Sequence, residues 1–190
     1  TDFDVIALFD NHVVIIEIKH LVTPYDPKRY YEDRQEIKKA IKQLKLRKQV
    51  LLRDWALIRD ITNGFLPPEP YPEERIIQLV CTNIDSFTSL EIDGIRIVDE
   101  SVLIRFFSDN GQYVKIWSGS KIYKKEKIWE DSQPTIDDFK RYIASPTAVK
   151  WYREVVKRKN ITIPRYGERE YLGTVNYILD EDIVKFDRQI

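Results

Sequence analysis

The chain has 190 residues but no methionine, only two histidines and a single cysteine, Cys81. One cysteine excludes an intramolecular disulfide framework and fits a reducing compartment, so we expect a cytoplasmic protein. His12, His20 and Cys81 have no recognisable zinc-ligand spacing, which argues against a zinc site. The absence of methionine predicts that the sequence is a piece of a longer polypeptide.

Long apolar runs are also absent. No stretch approaches the roughly 18 apolar residues that a membrane helix needs, so no membrane partner is expected. The chain contains no P-loop, no dinucleotide-binding fingerprint and no serine-centred nucleophile motif, which argues against the functions that depend on them. With 43% hydrophobic and 33% charged residues, the composition is typical of a globular domain with a core.

The net charge is zero, but the charges are unevenly distributed. Ten lysines and arginines and only three acids lie within residues 28–53, a local excess of seven positive charges. Apolar residues at three- and four-residue intervals predict one long helix over residues 29–59, along which Lys38, Lys42 and Lys45 form a ridge. Such a ridge is often only a solvated face, and it also fits one wall of a nucleic-acid groove.

The first twenty residues predict a β-hairpin. Two runs rich in Val, Ile and Phe flank the pair Asp10-Asn11, although no glycine is present to fix a tight primed turn. If these two residues form the loop, Phe9 faces His12, and Asp4 lies directly across from Glu17. The second run is apolar on both faces apart from Glu17, which is typical of a central strand covered on both sides.

This register places two carboxylates against each other on one face of the hairpin. Like charges directly opposed across two strands destabilise the pair, so Asp4 and Glu17 need a cation between them. Mg²⁺ suits this position because it prefers hard oxygen ligands and is commonly held by one or two carboxylates with waters. Lys19 projects to the same face as Glu17, because side chains alternate along a strand.

Asp4, followed after twelve residues by Glu17-Ile18-Lys19, resembles the motif of the PD-(D/E)XK nuclease superfamily. The runs around these residues are most similar to nuclease-related domains and to Holliday-junction-resolvase-like members, although no proline precedes Asp4. The resemblance implies an α/β fold with a restriction-endonuclease-like mixed sheet flanked by helices. It also implies a helix and a strand upstream of Thr1, so the upstream part of the same polypeptide is an expected partner.

The resemblance also implies roles for individual residues. Asp4 and Glu17 would hold Mg²⁺ or Mn²⁺, and the backbone carbonyl of Ile18 would add a ligand. Lys19 would orient or acidify the water that attacks the phosphate in phosphodiester hydrolysis, a role that suits the compact ammonium group of lysine.

Gln43 follows Lys19 by 24 residues, where many similar members carry a glutamine that orients the site or touches a phosphate. Gln35 and Gln49 are nearby alternatives for this role. A solvent-exposed glutamine chosen for its helix propensity explains the residue equally well.

Residues 1–111 are therefore the predicted nuclease-like core, and residues 112–190 a C-terminal α+β extension of unknown role. The prolines at 24 and 27 predict a loop over residues 23–27, before the first helix. Beyond that helix the sequence predicts a strand over 75–82 parallel to the Glu17 strand, in which Cys81 is interpreted as core packing. It also predicts a strand over 95–98, a helix from 99 to 107 and a hairpin over 113–128 around 118–120. Thr135 with Asp138 resembles a capping box that starts a helix, and a second helix is predicted from Pro146 to Lys159.

The sequence is compatible with three candidate functions. The first is a Mg²⁺-dependent nuclease domain acting on DNA, with RNA as the other candidate substrate. The second is a catalytically inactive, nuclease-derived module that binds nucleic acid through its basic helix. The third is a protein-interaction domain in which residues 113–190, rich in Trp and Tyr, dock a partner. The oligomeric state stays open.

Overall fold

The chain forms two compact units. The computed structural model describes residues 2–108, 111–115, 122–150, 156–164 and 171–179. The first unit combines Thr1–Gln112 with Lys127–Pro146, and the second combines Tyr113–Glu126 with Thr147–Ile190. The segment Lys127–Pro146, which the sequence assigned to the extension, therefore belongs to the unit that carries the predicted core.

The first unit is built on a five-stranded mixed sheet with the strand order β1-β2-β3-β5-β4. Its strands are β1 (Val5–Phe9), β2 (His12–Lys19), β3 (Ile76–Thr82), β4 (Glu91–Ile92) and β5 (Ile95–Asp99). The three central strands are parallel, and the two outer strands are antiparallel to their neighbours. The predicted parallel pairing of β2 and β3 is confirmed. The edge strand β4 was not predicted, because two residues are too few to show a period.

The predicted hairpin register is confirmed. Val5 pairs with Ile16 and Phe9 pairs with His12, so the loop consists of two residues. Asp10 and Asn11 have φ angles of 44° and 57°, the left-handed conformation that a type I′ turn requires at both positions. Aspartate and asparagine tolerate this conformation, which explains how the tight turn forms without a glycine.

The prediction of one long helix over residues 29–59 is wrong in two respects: the helix begins earlier, and it is divided into two. Helix α1 spans Pro27–Arg53 and helix α2 spans Trp55–Ile61, with Asp54 interrupting the regular conformation between them. Pro27, predicted to lie in a loop, is the first helical residue. Its missing N–H costs nothing at that position, and the Asp26 carboxylate caps the helix by accepting from the backbone N–H of Arg29 at 2.6 Å.

Helices cover both faces of the sheet. On one face α1 buries Ile37 and Leu44, and α2 buries Trp55, in one cluster with residues of β2, β3 and β5. On the other face α3 (Glu100–Ser108) and α4 (Ile136–Ala144) bury Phe106 and Phe139. The predicted capping box that starts α4, Thr135 with Asp138, is confirmed.

The turn of the first hairpin holds the start of α4. The Asp10 carboxylate accepts a hydrogen bond from the backbone N–H of Ile136 at 2.7 Å. This N–H is one of the groups at a helix N-terminus that have no partner within the helix, and a carboxylate is the acceptor favoured there. The contact fixes α4 against the β1–β2 end of the sheet.

Cys81 lies on β3, packed on the face that α3 and α4 cover. Burial, followed by the charges of Asp99 and Glu100, raises the pKa of its thiol to about 11. A thiol with so high a pKa stays protonated at neutral pH and is a poor nucleophile. The geometry agrees with the interpretation of Cys81 as core packing.

Two further strand pairs complete the described residues: β6 (Gly111–Lys115) with β7 (Ile122–Lys127), and β8 (Val156–Pro164) with β9 (Tyr171–Leu179). The turn predicted at 118–120 lies outside the described residues. The helix predicted from Pro146 to Lys159 is wrong in its last part. Residues 147–150 are helical, but 156–159 lie in β8, where β-branched residues favour an extended chain.

None of the helices in the described ranges is both long and apolar enough to cross a membrane.

Candidate functional site

Glu17 is a buried carboxylate in the central strand β2. It points to the same face as Val13 and Ile15, toward α1, and its side chain is only 2% exposed. Val80 of the neighbouring strand β3 lies beside it in the sheet register. A buried charge is strongly disfavoured without a partner. The chemistry of Glu17 therefore depends on the groups that contact its carboxylate.

Two cations hold the Glu17 carboxylate. Oε1 lies 2.8 Å from Lys19 Nζ, and Oε2 is paired with Nη1 of Arg47, which reaches down from α1. Lys19 Nζ also donates a hydrogen bond to Gln43 Oε1 at 3.1 Å. Two elements, β2 and α1, therefore place four polar side chains around one point of the sheet.

Asp4 completes this cluster from the residue just before β1. Its Oδ2 accepts a hydrogen bond from the backbone N–H of Ile18 at 2.8 Å, and its Oδ1 lies 3.5 Å from Arg47 Nη2. The repulsion expected between Asp4 and Glu17 is thus relieved by Arg47, which contacts both carboxylates. The contact seen at Ile18 uses its N–H, whereas the family resemblance implied its carbonyl as a metal ligand.

Of the predicted catalytic and metal-binding residues, Asp4, Glu17, Ile18, Lys19 and Gln43 come together in the structure. Gln43, rather than Gln35 or Gln49, is the glutamine that reaches Lys19. We call the side chains of Asp4, Glu17, Lys19, Gln43 and Arg47 the carboxylate site.

The three lysines predicted to bind nucleic acid do not join the carboxylate site. With 3.6 residues per turn, Lys38, Lys42 and Lys45 fall on the flank of α1 opposite to Gln43. Lys45 instead bonds to Asp93 Oδ2, in the β4–β5 turn, at 2.7 Å, and this hydrogen bond lowers the pKa of Asp93. The ridge therefore lies toward the β4 edge of the sheet.

Lys38 and Lys42 line a hollow of about 380 Å³ between α1 and the β4–β5 turn, together with Ile92 and Asp93. Both lysines are exposed. Because Asp93 neutralises Lys45, these two carry the charge that the ridge presents to solvent.

Arg47 is the site residue that the sequence reading missed. It was counted among the basic residues of the helix but not distinguished from the exposed lysines. A signal was present, because residue 47 lies four positions after Gln43 and so on the same flank of the helix. Arg47 is buried, unlike Lys38 and Lys42 on the other flank.

A second charged group lies nearer the start of α1. Asp33 is fully buried and pairs with Arg29 Nη2 at 3.0 Å. The pKa of Glu36 is lowered mainly by its hydrogen bond with Lys39, with smaller contributions from the charges of Lys19 and Arg29. Glu36 and Lys39 therefore form an exposed ion pair on α1, outside the carboxylate site.

The carboxylate site has donor atoms of the type that Mg²⁺ accepts, but few of them. Among the described residues no group of three or more His, Cys, Asp or Glu side chains comes together. Asp4 and Glu17 supply hard oxygens, and Mg²⁺ commonly binds one or two carboxylates with waters in the remaining positions. All four of these oxygens already contact Ile18 N–H, Lys19 or Arg47.

No protein-family model, curated protein or solved structure matches this chain. The resemblance to the PD-(D/E)XK nucleases is thus based on the motif residues of the sequence alone.

Proposed function

We propose that the first unit is a Mg²⁺-dependent nuclease domain that hydrolyses phosphodiester bonds, with DNA as its substrate. One observation carries the proposal: the side chains of Asp4, Glu17, Lys19 and Gln43, which the sequence motif singled out, lie together at the carboxyl end of β2. A mixed sheet with helices on both faces is compatible with a restriction-endonuclease-like fold.

In this proposal Asp4 and Glu17 would hold the metal ion. When bound, Mg²⁺ would supply Lewis-acid stabilisation of the phosphate and would lower the pKa of the attacking water. Lys19, whose side chain is 23% exposed, offers its ammonium group to an attacking water and to the charge that builds on the phosphate oxygens. Gln43 restricts the position of the Lys19 Nζ through their hydrogen bond. Hydrolysis forms a new bond from water oxygen to phosphorus, breaks one P–O bond and delivers a proton to the leaving alkoxide.

Replacing Lys19 by alanine is expected to lower DNA cleavage by a factor of about 10² or more, the loss typical of removing one preorganised group that stabilises the transition state. The full chain would be incubated with labelled single- and double-stranded DNA and RNA in Mg²⁺, Mn²⁺ or EDTA. Lys140→Ala is the matched control, because Lys140 is an exposed lysine of α4 outside the carboxylate site, and this variant should cleave like the parent.

Glu17→Ala should also abolish cleavage, but it removes a buried charge and has to be checked for folding by circular dichroism. Lys19→Ala is the sharper variant, since Glu17 keeps its contact with Arg47. The nuclease proposal fails if both variants cleave as fast as the parent, or if EDTA leaves the rate unchanged.

A second candidate, a nucleic-acid-binding module without catalysis, is favoured by one specific observation. Within the carboxylate site the charges of Asp4 and Glu17 are matched by those of Lys19 and Arg47, so the site is neutral without a metal. Such a module would bind through the exposed lysines at the other edge of the sheet.

For this candidate, Lys42→Ala is expected to weaken DNA binding and to reduce the slope of log affinity against log salt by about one, because each phosphate contact releases about one counterion. Lys45→Ala is the matched comparison and should have a smaller effect, since Asp93 already neutralises Lys45. Fluorescence anisotropy at several salt concentrations measures both. Equal slopes for the parent and Lys42→Ala would exclude the ridge as the binding surface.

A further inference from the structure

Arg47 lies where a metal ion shared by Asp4 and Glu17 would have to bind. Its guanidinium is paired with Glu17 Oε2 through Nη1 and lies 3.5 Å from Asp4 Oδ1 through Nη2. The planar guanidinium group presents several donors in a fixed arrangement, so one arginine can bridge two carboxylates. Arg47 thus satisfies the same two carboxylates that the proposed metal ion would use.

The charge balance of the site favours either Arg47 or a divalent ion between the carboxylates, but not both together. Asp4 and Glu17 contribute two negative charges, and Lys19 and Arg47 contribute two positive charges. Adding a divalent ion with Arg47 in place would leave two uncompensated positive charges beside the buried Glu17. A buried charge without a partner is strongly destabilising, so the ion and the arginine cannot share this position at low cost.

The surroundings of the site allow a divalent ion to replace the Arg47 guanidinium. The Asp4 side chain is 30% exposed, so solvent reaches the site from the β1 side, whereas that of Glu17 is only 2% exposed. Removal of Arg47 would leave Glu17 with Lys19 at 2.8 Å and Asp4 with the Ile18 N–H. The carboxylates therefore keep a partner while the position between them becomes available.

We propose that Arg47 is a built-in counterion that holds the carboxylate site closed to divalent cations, and that metal binding requires its guanidinium to leave Asp4 and Glu17. The inference is based on the proposed nuclease function and adds a control of metal loading to it. Arg47 acts here as a positioning residue: it keeps the metal-free site neutral and its carboxylates in place. It also sets how much metal is needed to load the site.

The test measures Mn²⁺ binding by the full chain, using the electron paramagnetic resonance signal of free Mn²⁺. Arg47→Ala is expected to bind Mn²⁺ at least tenfold more tightly than the parent, because the ion no longer competes with a guanidinium. Arg47→Lys keeps a cation and should bind less tightly than Arg47→Ala. Arg105→Ala removes an exposed arginine of α3 and should bind like the parent.

A second measurement serves if Arg47→Ala is weakly folded. Ligands that bind only the folded state raise the Tm, so Mg²⁺ should raise the Tm of Arg47→Ala more than that of the parent. Equal Mn²⁺ affinities and equal Tm shifts in the two proteins would overturn the inference. So would the absence of metal binding in both, because Arg47 would then be a permanent partner of the carboxylates.

The metal-binding measurements test the role of Arg47 separately from the nuclease function, because they do not depend on cleavage. Tighter metal binding by Arg47→Ala with no nuclease activity in any variant would contradict the proposed function but support the role of Arg47. Cleavage by the parent, lost in Lys19→Ala, with identical metal affinities in the parent and Arg47→Ala would support the function and overturn the role of Arg47.

Discussion

Replacing Glu17 by alanine is expected to lower the free energy of unfolding by about 3–5 kcal/mol, the loss found when one partner of a buried ion pair is removed. Arg47 is buried and would lose its closest anion, leaving only the partly exposed Asp4 at 3.5 Å. Lys19 would lose the same carboxylate but is itself partly exposed. Urea unfolding followed by circular dichroism measures the change.

A double-mutant cycle separates the ion pair from the loss of packing. Glu17→Ala combined with Arg47→Ala should be less destabilised than the sum of the two single variants, with an interaction energy within about 0.5–3 kcal/mol. Glu74→Ala is the control for loss of an acid, because Glu74 is exposed. A change below about 1 kcal/mol for Glu17→Ala would contradict the buried pair, since that is the size expected of an exposed one.

Replacing Phe106 by alanine is expected to lower the free energy of unfolding by about 3–5 kcal/mol, the usual cost of deleting a large buried aromatic side chain. Phe106 on α3 is fully buried. Its ring lies 5.0 to 6.0 Å, centroid to centroid, from the rings of Phe9, Trp129, Phe139 and Tyr142. The residue therefore joins the first hairpin to the segment that contains α4.

Phe107 is a matched control, because it is the next residue of the same helix but 55% exposed. It touches Phe9 and Phe139 from the outside, so Phe107→Ala should cost less than half as much as Phe106→Ala. Equal losses in the two variants would show that Lys127–Pro146 does not pack on the sheet as the structure has it.

Local patterns explain what could be predicted from the sequence. The hairpin register depends only on the two loop residues and on the two-residue period of a strand, so the facing of Glu17 and Lys19 toward the same side was available from residues 1–20. The parallel pairing of β2 and β3 followed from the long helix between them. Neither inference needs contacts distant in sequence.

The spacing from Gln43 places Arg47 on the same flank of α1, but its contacts with the two carboxylates depend on the rotation of α1 about its axis over the sheet. The apolar stripe of α1 contains enough information to place Gln43 and Lys42 on opposite flanks. It does not show which flank faces β1, beside which Asp4 lies, and which flank faces β4. The sequence therefore left open whether the lysine ridge lies toward β1 or toward β4.

The position of α4 was also beyond the sequence pattern. Its capping box and apolar face predicted a helix, but nothing in residues 135–144 indicates which surface the helix covers. The packing of α4 against Phe106 determines its position. This contact joins two segments that are separated in the sequence by β6 and β7. Amphipathic helices show that they have a buried face, not what buries it.

The hydrogen bond from Ile136 to Asp10 joins residues 126 positions apart. The turn that supplies the carboxylate is among the first parts of this sequence to be synthesised, and proteins emerge from the ribosome N-terminus first. Its hairpin can form on a microsecond timescale, whereas the helix it caps is added roughly 6–25 seconds later at about 5–20 residues per second. Until α4 has been synthesised, the apolar sheet face that it covers lacks this helix, so the first unit can be completed only after translation has passed residue 144.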